Sequence, residues 1–412
     1  MNCLHVYLHG RKTGILLSQG GALSFQYDPD YLRLATAAPL SFSLPLRVQP
    51  YTGPTTEAFF KNLLPPDNVR KRLGKILHLS RHNIFGFLQA IGGDCAGAVA
   101  FYPLDQPGGG QSAPAYRPLS EEESVRILGE LPLRPLNLGV DAGFRISGAG
   151  AQDKLIACVS AGRISLPLYG TPSTHIIKPA VAAYPDSVYN EYFCMSLARR
   201  AKLPVAASAI LTLAGGHYYC TDRYDRCHEQ GRSYRLHQED FCQICGVDPE
   251  NKYESEGGPG IKQCLQMIRD MRLGAAAQLT FFRSVIFNYL IGNGDAHAKN
   301  FSVLYCGAGM SLAPLYDLLS TRVYPALSAE SAMKIGGEAV FNKISREHFA
   351  RMADECDVRP QVVLDLLDAL VAILPQLAQA LAVELSRDYP STIYAKIIAV
   401  IAEQVSRVAL AR

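Results

Sequence analysis

Between two apolar runs, the stretch "GNGDAHAKN" (292–300) sets an acid, Asp295, an imidazole, His297, an amine, Lys299, and an amide, Asn300, within six positions. A surface turn needs one or two such groups. Downstream, "FSVLY" and "MSLAPL" read as two strands joined by the short Gly-containing loop "CGAG", and Tyr316 and Asp317 follow directly. Such a hairpin returns Asp317 to the side of Asp295 and Asn300. Two carboxylates and an amide converging at strand ends suit Mg²⁺, which prefers hard oxygen ligands and keeps waters and substrate phosphates. The D-x-x-x-x-N spacing equals that of the catalytic Asp and metal-binding Asn of protein-kinase loops. The competing reading is a polar turn whose Asp and Asn satisfy local backbone groups.

Phosphoryl transfer asks for three further parts. A cation must reach the nucleotide phosphates from a strand, and Lys178 in "THIIKPA" is flanked by apolar residues, although an isolated lysine of this kind is often a snorkelling one. Glu191, on the following helical segment, is the candidate to pair with it. The second part is a phosphate-cradling loop: "SGAGAQDK" (147–154) offers small residues that let backbone N–H groups approach an anion, yet matches neither standard glycine-rich motif. The third is a hinge for the adenine, and "TDRYDR" (221–226) stands at the transition from strand-rich to helical sequence.

The elements that must position these residues follow from periodicity. Leu279, Phe282, Ile286 and Leu290 recur at three- and four-residue steps, and Gly292 stands at the C′ position of that helix. Residues 1–108 open with alternating strand-like runs and then "EAFFKNLL" and "NIFGFLQAIGG", a separate α/β module. "DQPGGGQSAPAYRP" (105–118) has linker composition, and Ser120 with Glu123 forms the capping-box pattern of a helix start. Residues 119–235 predict a strand-rich nucleotide-binding lobe interrupted by the helix "SVYNEYFCMSLARRAKL", and 236–412 a helical catalytic lobe. The fold class predicted is α+β: two lobes, one strand-rich and one larger and helical, with the N-terminal module added.

The totals exclude several classes. At 412 residues, 48% hydrophobic and 19% charged, the chain suits two or three packed domains, not disorder. A net charge of +3 is short of a dedicated nucleic-acid binder. "MNCLHVYLHGRKTG" lacks the layout of a secretory signal, and Val362–Val383, broken by Asp365, Asp368 and Pro375, reads as a buried helix pair and not a membrane span. Eleven scattered cysteines fit a reducing cytoplasm. Cys242 and Cys245, with Cys220, Cys227, His228 and His237 nearby, lack the spacing of a second zinc-ligand pair, so buried thiols are expected. Arg223, Arg226, Arg232 and Arg235 read as a solvated face with Arg223 near the nucleotide.

In order, "RISGAGAQDK", "THIIKP", "NEYF", "DRYDR", "LHQEDFCQ", "KYESEGGPG", "GNGDAHAKNFS" and "APLYDLLST" closely resemble the HipA family of bacterial serine/threonine kinase toxins. "FFKNLLPPDN" and "AIGGDCAGA" resemble that family's N-terminal module, so the resemblance spans essentially the whole chain. It implies that Asp295 is the catalytic base and that Asn300 and Asp317 are Mg²⁺ ligands. It implies that His297, Ala298 and Lys299 line the phosphates, that Tyr316 and Leu318 flank the metal ligand in the ATP site, and that Lys178 contacts the α/β-phosphates. Ala149, Gly150, Ala151, Gln152, Asp153 and Lys154 resemble the nucleotide loop, and Asp222, Arg223 and Tyr224 the adenine-side hinge. Ser147 matches the family's autophosphorylation serine, whose modification ejects that loop. Gly148 follows it where relatives carry an apolar residue, a change expected to loosen the loop. Gly294, not arginine, precedes Asp295, which argues against regulation of the H-R-D kind.

The resemblance implies a cytoplasmic, ATP- and Mg²⁺-dependent kinase toxin acting on a protein, by analogy an aminoacyl-tRNA synthetase. Its partner would be a HipB-type helix-turn-helix antitoxin, with DNA contacted only through that partner and no membrane involved. Two other classes stay open: a largely non-catalytic corepressor scaffold gripping the antitoxin, and a small-molecule kinase. Retention of Asp295, Asn300, Asp317 and Lys178 disfavours the scaffold.

Overall fold

The computed structural model describes residues 2–105, 114–138, 143–148, 150–229, 232–307 and 309–409. Its residues group into two compact units, one of Met1–Pro179, Leu211–Glu250 and Val303–Gly309, the other of Ala180–Ile210, Asn251–Ser302 and Met310–Arg412. The α+β class is borne out.

In the first unit, β1 (Asn2–Leu8), β2 (Arg11–Gln19), β3 (Ala22–Tyr27), β4 (Tyr51–Thr52) and β5 (Val99–Pro103) form an antiparallel sheet in the order β4-β3-β2-β1-β5. Leu4, Val6 and Leu8 point inward from β1 and alternate with more exposed residues, the period of two that a one-sided sheet requires. Helix Pro54–Asn62 covers that face, with the Phe60 ring 5.8 Å from both Phe25 and Phe101. A second antiparallel sheet follows: β6 (Ala115–Pro118), β7 (Leu155–Ser160), β8 (Arg163–Leu168), β9 (His175–Lys178), β10 (Ser208–Leu213) and β11 (Gly216–Asp222), ordered β10-β11-β9-β7-β8-β6. The end of the stretch expected to be linker is therefore structured, because Ala115–Pro118 pairs along β8 as an edge strand. The capping box at Ser120 is half made. Ser120 accepts the Glu123 N–H at 3.1 Å, but the Glu123 carboxylate turns to Arg117 at 2.8 Å.

The second unit is built on helices Ser187–Arg200, Ile261–Asp270, Ala275–Leu290, Arg346–Glu355, Pro360–Asp388 and Ile393–Val408, with the short hairpin Glu330–Ile335 and Glu338–Val340. The expected helix pair is instead one helix of 29 residues, long and apolar enough to cross a membrane by length and composition. Pro375 removes one donor without ending the helix. Val363, Leu367, Leu370, Leu374, Ala378, Leu381 and Leu385 make a single buried stripe at three- and four-residue steps, the pattern of a helix packed on one side. Along Ala275–Leu290 the expected face also needs correction. Phe282, Ile286 and Leu290 are buried, but Leu279, in the second turn, is exposed.

Candidate active site

Helix Ala275–Leu290 stops in a Schellman motif. Gly292 N–H donates to Tyr289 O at 3.0 Å and Asn293 N–H to Asn288 O at 2.8 Å. Gly292 adopts φ +69°, and a Cβ there would meet Val400 Cγ1 at 2.6 Å, so both conformation and space demand glycine. The next residues are fixed by side chains. Asn293 Nδ2 donates to Asn288 Oδ1 at 2.8 Å, and Asn293 Oδ1 accepts the Asp295 N–H at 3.1 Å. Thr321 Oγ1 accepts the Gly294 N–H at 2.7 Å. The backbone leading into Asp295 is thus held at Asn293, at the Gly294 N–H and at the Asp295 N–H itself.

Asn300 closes the loop: its Nδ2 donates to the Asp295 carbonyl at 2.9 Å. An amide whose nitrogen is so committed presents Oδ1 as its free acceptor. Tyr316 and Asp317 return to this loop as expected of the hairpin. Tyr316 Oη donates to Lys299 O at 2.7 Å and shares a hydrogen bond with Ser302 Oγ, and Asn293 Nδ2 reaches the Asp317 carbonyl at 3.5 Å. Asp317 adopts φ +57°, a left-handed conformation disfavoured for a residue with a Cβ, and such strain concentrates at functional sites. His297 is buried, its Nε2 3.7 Å from Asp295 Oδ1, and its Nδ1 has no partner among the described residues. Burial lowers the His297 pKa to about 4, against the opposing pull of Asp295, so the imidazole is neutral near pH 7. The donor set fits a hard divalent cation, since one amide oxygen and one carboxylate leave room for waters and phosphate oxygens. Leu318, next along the chain, is buried, as is Ala298.

The first unit holds the other expected residues. Lys178 ends β9 opposite Tyr219 of β11, is buried, and lies 5.5 Å from the Tyr219 ring centre. Ala149 lies outside the described residues; Gly150 adopts φ +96° and Ala151 is exposed. Gln152 donates to Pro179 O at 3.4 Å, Asp153 pairs with Arg72 at 2.7 Å, and Lys154 is buried. Ser147 is fully buried, donating to Leu63 O at 2.6 Å while its N–H reaches Asp94 O at 3.1 Å. At Gly148 a Cβ would fall 2.5 Å from Ile156 Cδ1, so the Ile156 side chain packs into the space a side chain at this position would take. Asp222 is exposed and lies 3.1 Å from His175 Nε2, and Tyr224 donates to Gln238 Oε1.

Arg223 departs from expectation. The solvated basic face does not exist at Arg223, Arg226 and Arg235. Asp94 accepts from all three, at 3.3, 2.8 and 2.8 Å, and Asp225 takes Arg223 at 2.8 Å. Burial alone would raise the Asp94 carboxyl, but the guanidiniums around it hold it well below the usual carboxylate range. The Arg223 guanidinium is therefore committed to the interior, where charges survive only when paired, and is not free for a nucleotide. Arg232 belongs to a strand, Arg232–Arg235, paired with Arg226–Glu229. Cys242 and Cys245 sit on and just after the short helix Phe241–Ile244, with Cys242 fully buried and neither cysteine in a disulfide.

Sequence reasoning overlooked Asn293, whose place inside "GNGD" was visible, and Tyr253, whose hydroxyl donates to Asp295 Oδ1. Nothing in local spacing marks a tyrosine forty-two residues upstream as a neighbour of that carboxylate.

The family model for the HipA N-terminal domain matches residues 4–102, and that for the HipA-like C-terminal domain matches residues 146–381. A protein named "Putative kinase Y4mE" from Sinorhizobium fredii is 40% identical over 361 residues, covering 86% of both chains. The serine/threonine-protein kinase toxin HipA of Shewanella oneidensis is 31% identical over 353 residues, covering 82% of this chain and 79% of its own. Among solved structures, the Shewanella oneidensis complex of HipA, HipB and operator DNA superposes with a TM-score of 0.84 at 27% identity, covering 98% of this chain and 96% of that one. Matched at both its N-terminal and C-terminal domains and along most of its length, the chain belongs to the HipA family.

Proposed function

We propose that this protein kinase uses ATP and Mg²⁺ to phosphorylate a serine or threonine of a protein target, acts as the toxin of a toxin–antitoxin pair, and is silenced by autophosphorylation at Ser147. The observation that carries the reading is the tie between Asn300 and Asp295, with Asp317 returned beside them in a left-handed conformation. Asp295 takes the proton from the acceptor hydroxyl as its oxygen bonds to the γ-phosphorus and the bond to the β-phosphate oxygen breaks, releasing ADP. Asn300 and Asp317 would be the residues to hold Mg²⁺, which when bound would neutralise charge on the phosphates. Lys299 stands beside the developing negative charge, and the neutral His297 lines the same loop without adding to it. Of the first unit's residues, Lys178, Lys154 and the Gly150–Lys154 backbone are the ones we assign to the phosphates, and Asp222 and Tyr224 to the adenine.

The switch at Ser147 has a physical basis. A phosphate adds roughly −1.5 to −2 charge, which the buried niche beside the Leu63 carbonyl cannot hold, so the modified loop must leave it. Ser147 must likewise leave that niche to be phosphorylated. The partner we infer is a HipB-type helix-turn-helix antitoxin, because the superposable Shewanella HipA is in complex with HipB and operator DNA. DNA would be reached through that partner, and the kinase would work in the cytoplasm. The test is labelled ATP added to cell lysate with the purified protein, followed by identification of labelled proteins. A labelled protein that disappears with the Asp295→Asn enzyme supports the reading; label only on small molecules contradicts it.

A further inference from the structure

Resting on the kinase reading, we infer that Tyr253 is a positioning residue for phosphoryl transfer, orienting the Asp295 carboxylate through Oδ1 so that Oδ2 faces the acceptor hydroxyl. The Tyr253 hydroxyl donates to Oδ1, the same oxygen that His297 Nε2 approaches at 3.7 Å. The Tyr253 ring stands edge-on to the His297 ring, with centres 5.4 Å apart. Asp295 Oδ1 is thus flanked by two rings that brace each other, and an oxygen already accepting a charge-assisted hydrogen bond is the weaker base of the two, which favours Oδ2 as the proton acceptor.

The loop that presents Tyr253 is built to hold still. Glu256 N–H and Gly258 N–H both donate to the Tyr253 carbonyl, at 3.0 and 2.8 Å. Gly257 adopts φ +92°, and a Cβ at Gly258 would fall 2.4 Å from Asn251 O. The neighbouring Glu254 carboxylate accepts the Lys334 N–H at 2.6 Å, and a Cβ at Gly260 would meet that carboxylate at 2.8 Å. Gly257 and Gly258 of "KYESEGGPG" are therefore required by the path that brings one hydroxyl to Asp295. Burial and the adjacent carboxylate push the Tyr253 phenol far above its ordinary pKa, so it remains a donor throughout the working pH range.

The test compares wild type, Tyr253→Phe and Asp295→Asn by steady-state kinetics with Mg²⁺, ATP and, as acceptor, the unphosphorylated form of the protein labelled in the lysate or a peptide carrying its acceptor serine or threonine. Phe keeps the ring against His297 and removes only the donor. Tyr253→Phe is expected to lower kcat about ten- to a hundredfold, as for loss of a hydrogen bond to a charged group, with KM for ATP unchanged and the fold retained. An unchanged kcat in Tyr253→Phe beside an inactive Asp295→Asn overturns the role of Tyr253 alone. A raised KM for ATP with unchanged kcat also overturns it, marking Tyr253 as a binding or structural residue. Full activity in Asp295→Asn would overturn the base assignment and this inference together.

Discussion

Asn300 donates its side-chain amide to the main-chain carbonyl of Asp295, 2.9 Å away and five residues earlier in the chain. One residue thereby closes the loop around the base and keeps its side-chain oxygen as an acceptor. An Asp at this position has the oxygen but not the donor, and sets a negative charge against a carbonyl oxygen.

Asn300→Asp is therefore expected to weaken the loop by about 1–3 kcal/mol and to lower phosphoryl transfer. Thermal melting measures the first effect and ATP turnover across a Mg²⁺ titration the second. Equal stability and equal activity would show that the donor is dispensable.

The position of Ser147 gives a second expectation. Its hydroxyl is buried against Leu63 O, so a phosphate there must release the segment that leads into Gly150–Lys154. Phosphorylated protein should be cut by trypsin after Lys154 at least tenfold faster than the Ser147→Ala protein, read by mass spectrometry with the phosphate site mapped in the same spectra; tenfold corresponds to roughly 1.4 kcal/mol of opening. Equal cleavage rates with Ser147 modified would show that the loop stays in place.

Glu239 offers a stability test apart from the catalytic loop. Burial pushes its carboxyl up to about 7, although Ser41, Tyr305 and the Phe42 N–H all hydrogen-bond to it. The folded state therefore holds this proton where the unfolded chain has released it. The stability it confers is complete below about pH 4.5 and is lost as pH rises through about 7. Glu239→Gln cannot lose a proton, so its melting temperature relative to wild type should climb between acid and mildly alkaline buffers, by up to roughly 3 kcal/mol in stability. A difference that stays flat with pH would place the Glu239 carboxyl at an ordinary value.

What the sequence disclosed follows from how local each signal is. Gly292 as a helix terminator, β9 around Lys178 and the return of Asp317 beside Asp295 all depend on period, turn residues and short connections, and each appears in the structure. The Arg223 cluster did not: Asp225 stands two residues on, but Asp94, the acid shared by Arg223, Arg226 and Arg235, lies more than a hundred residues away, and spaced arginines read as surface until it is found. Tyr253 was hidden for the same reason. Leu279 fits the helical stripe by spacing but sits in the second turn of its helix, exposed. The unbroken helix Pro360–Asp388 shows a proline tolerated where its neighbours on one stripe stay buried.

The central claim is that Asp295 accepts the proton of the acceptor hydroxyl. The direct measurement is the rate of phosphate transfer from labelled ATP by Asp295→Asn against wild type, with ATP binding measured in parallel. The account predicts a loss of about a hundredfold or more in transfer with ATP affinity nearly unchanged. Transfer at the wild-type rate by the Asn enzyme would contradict it.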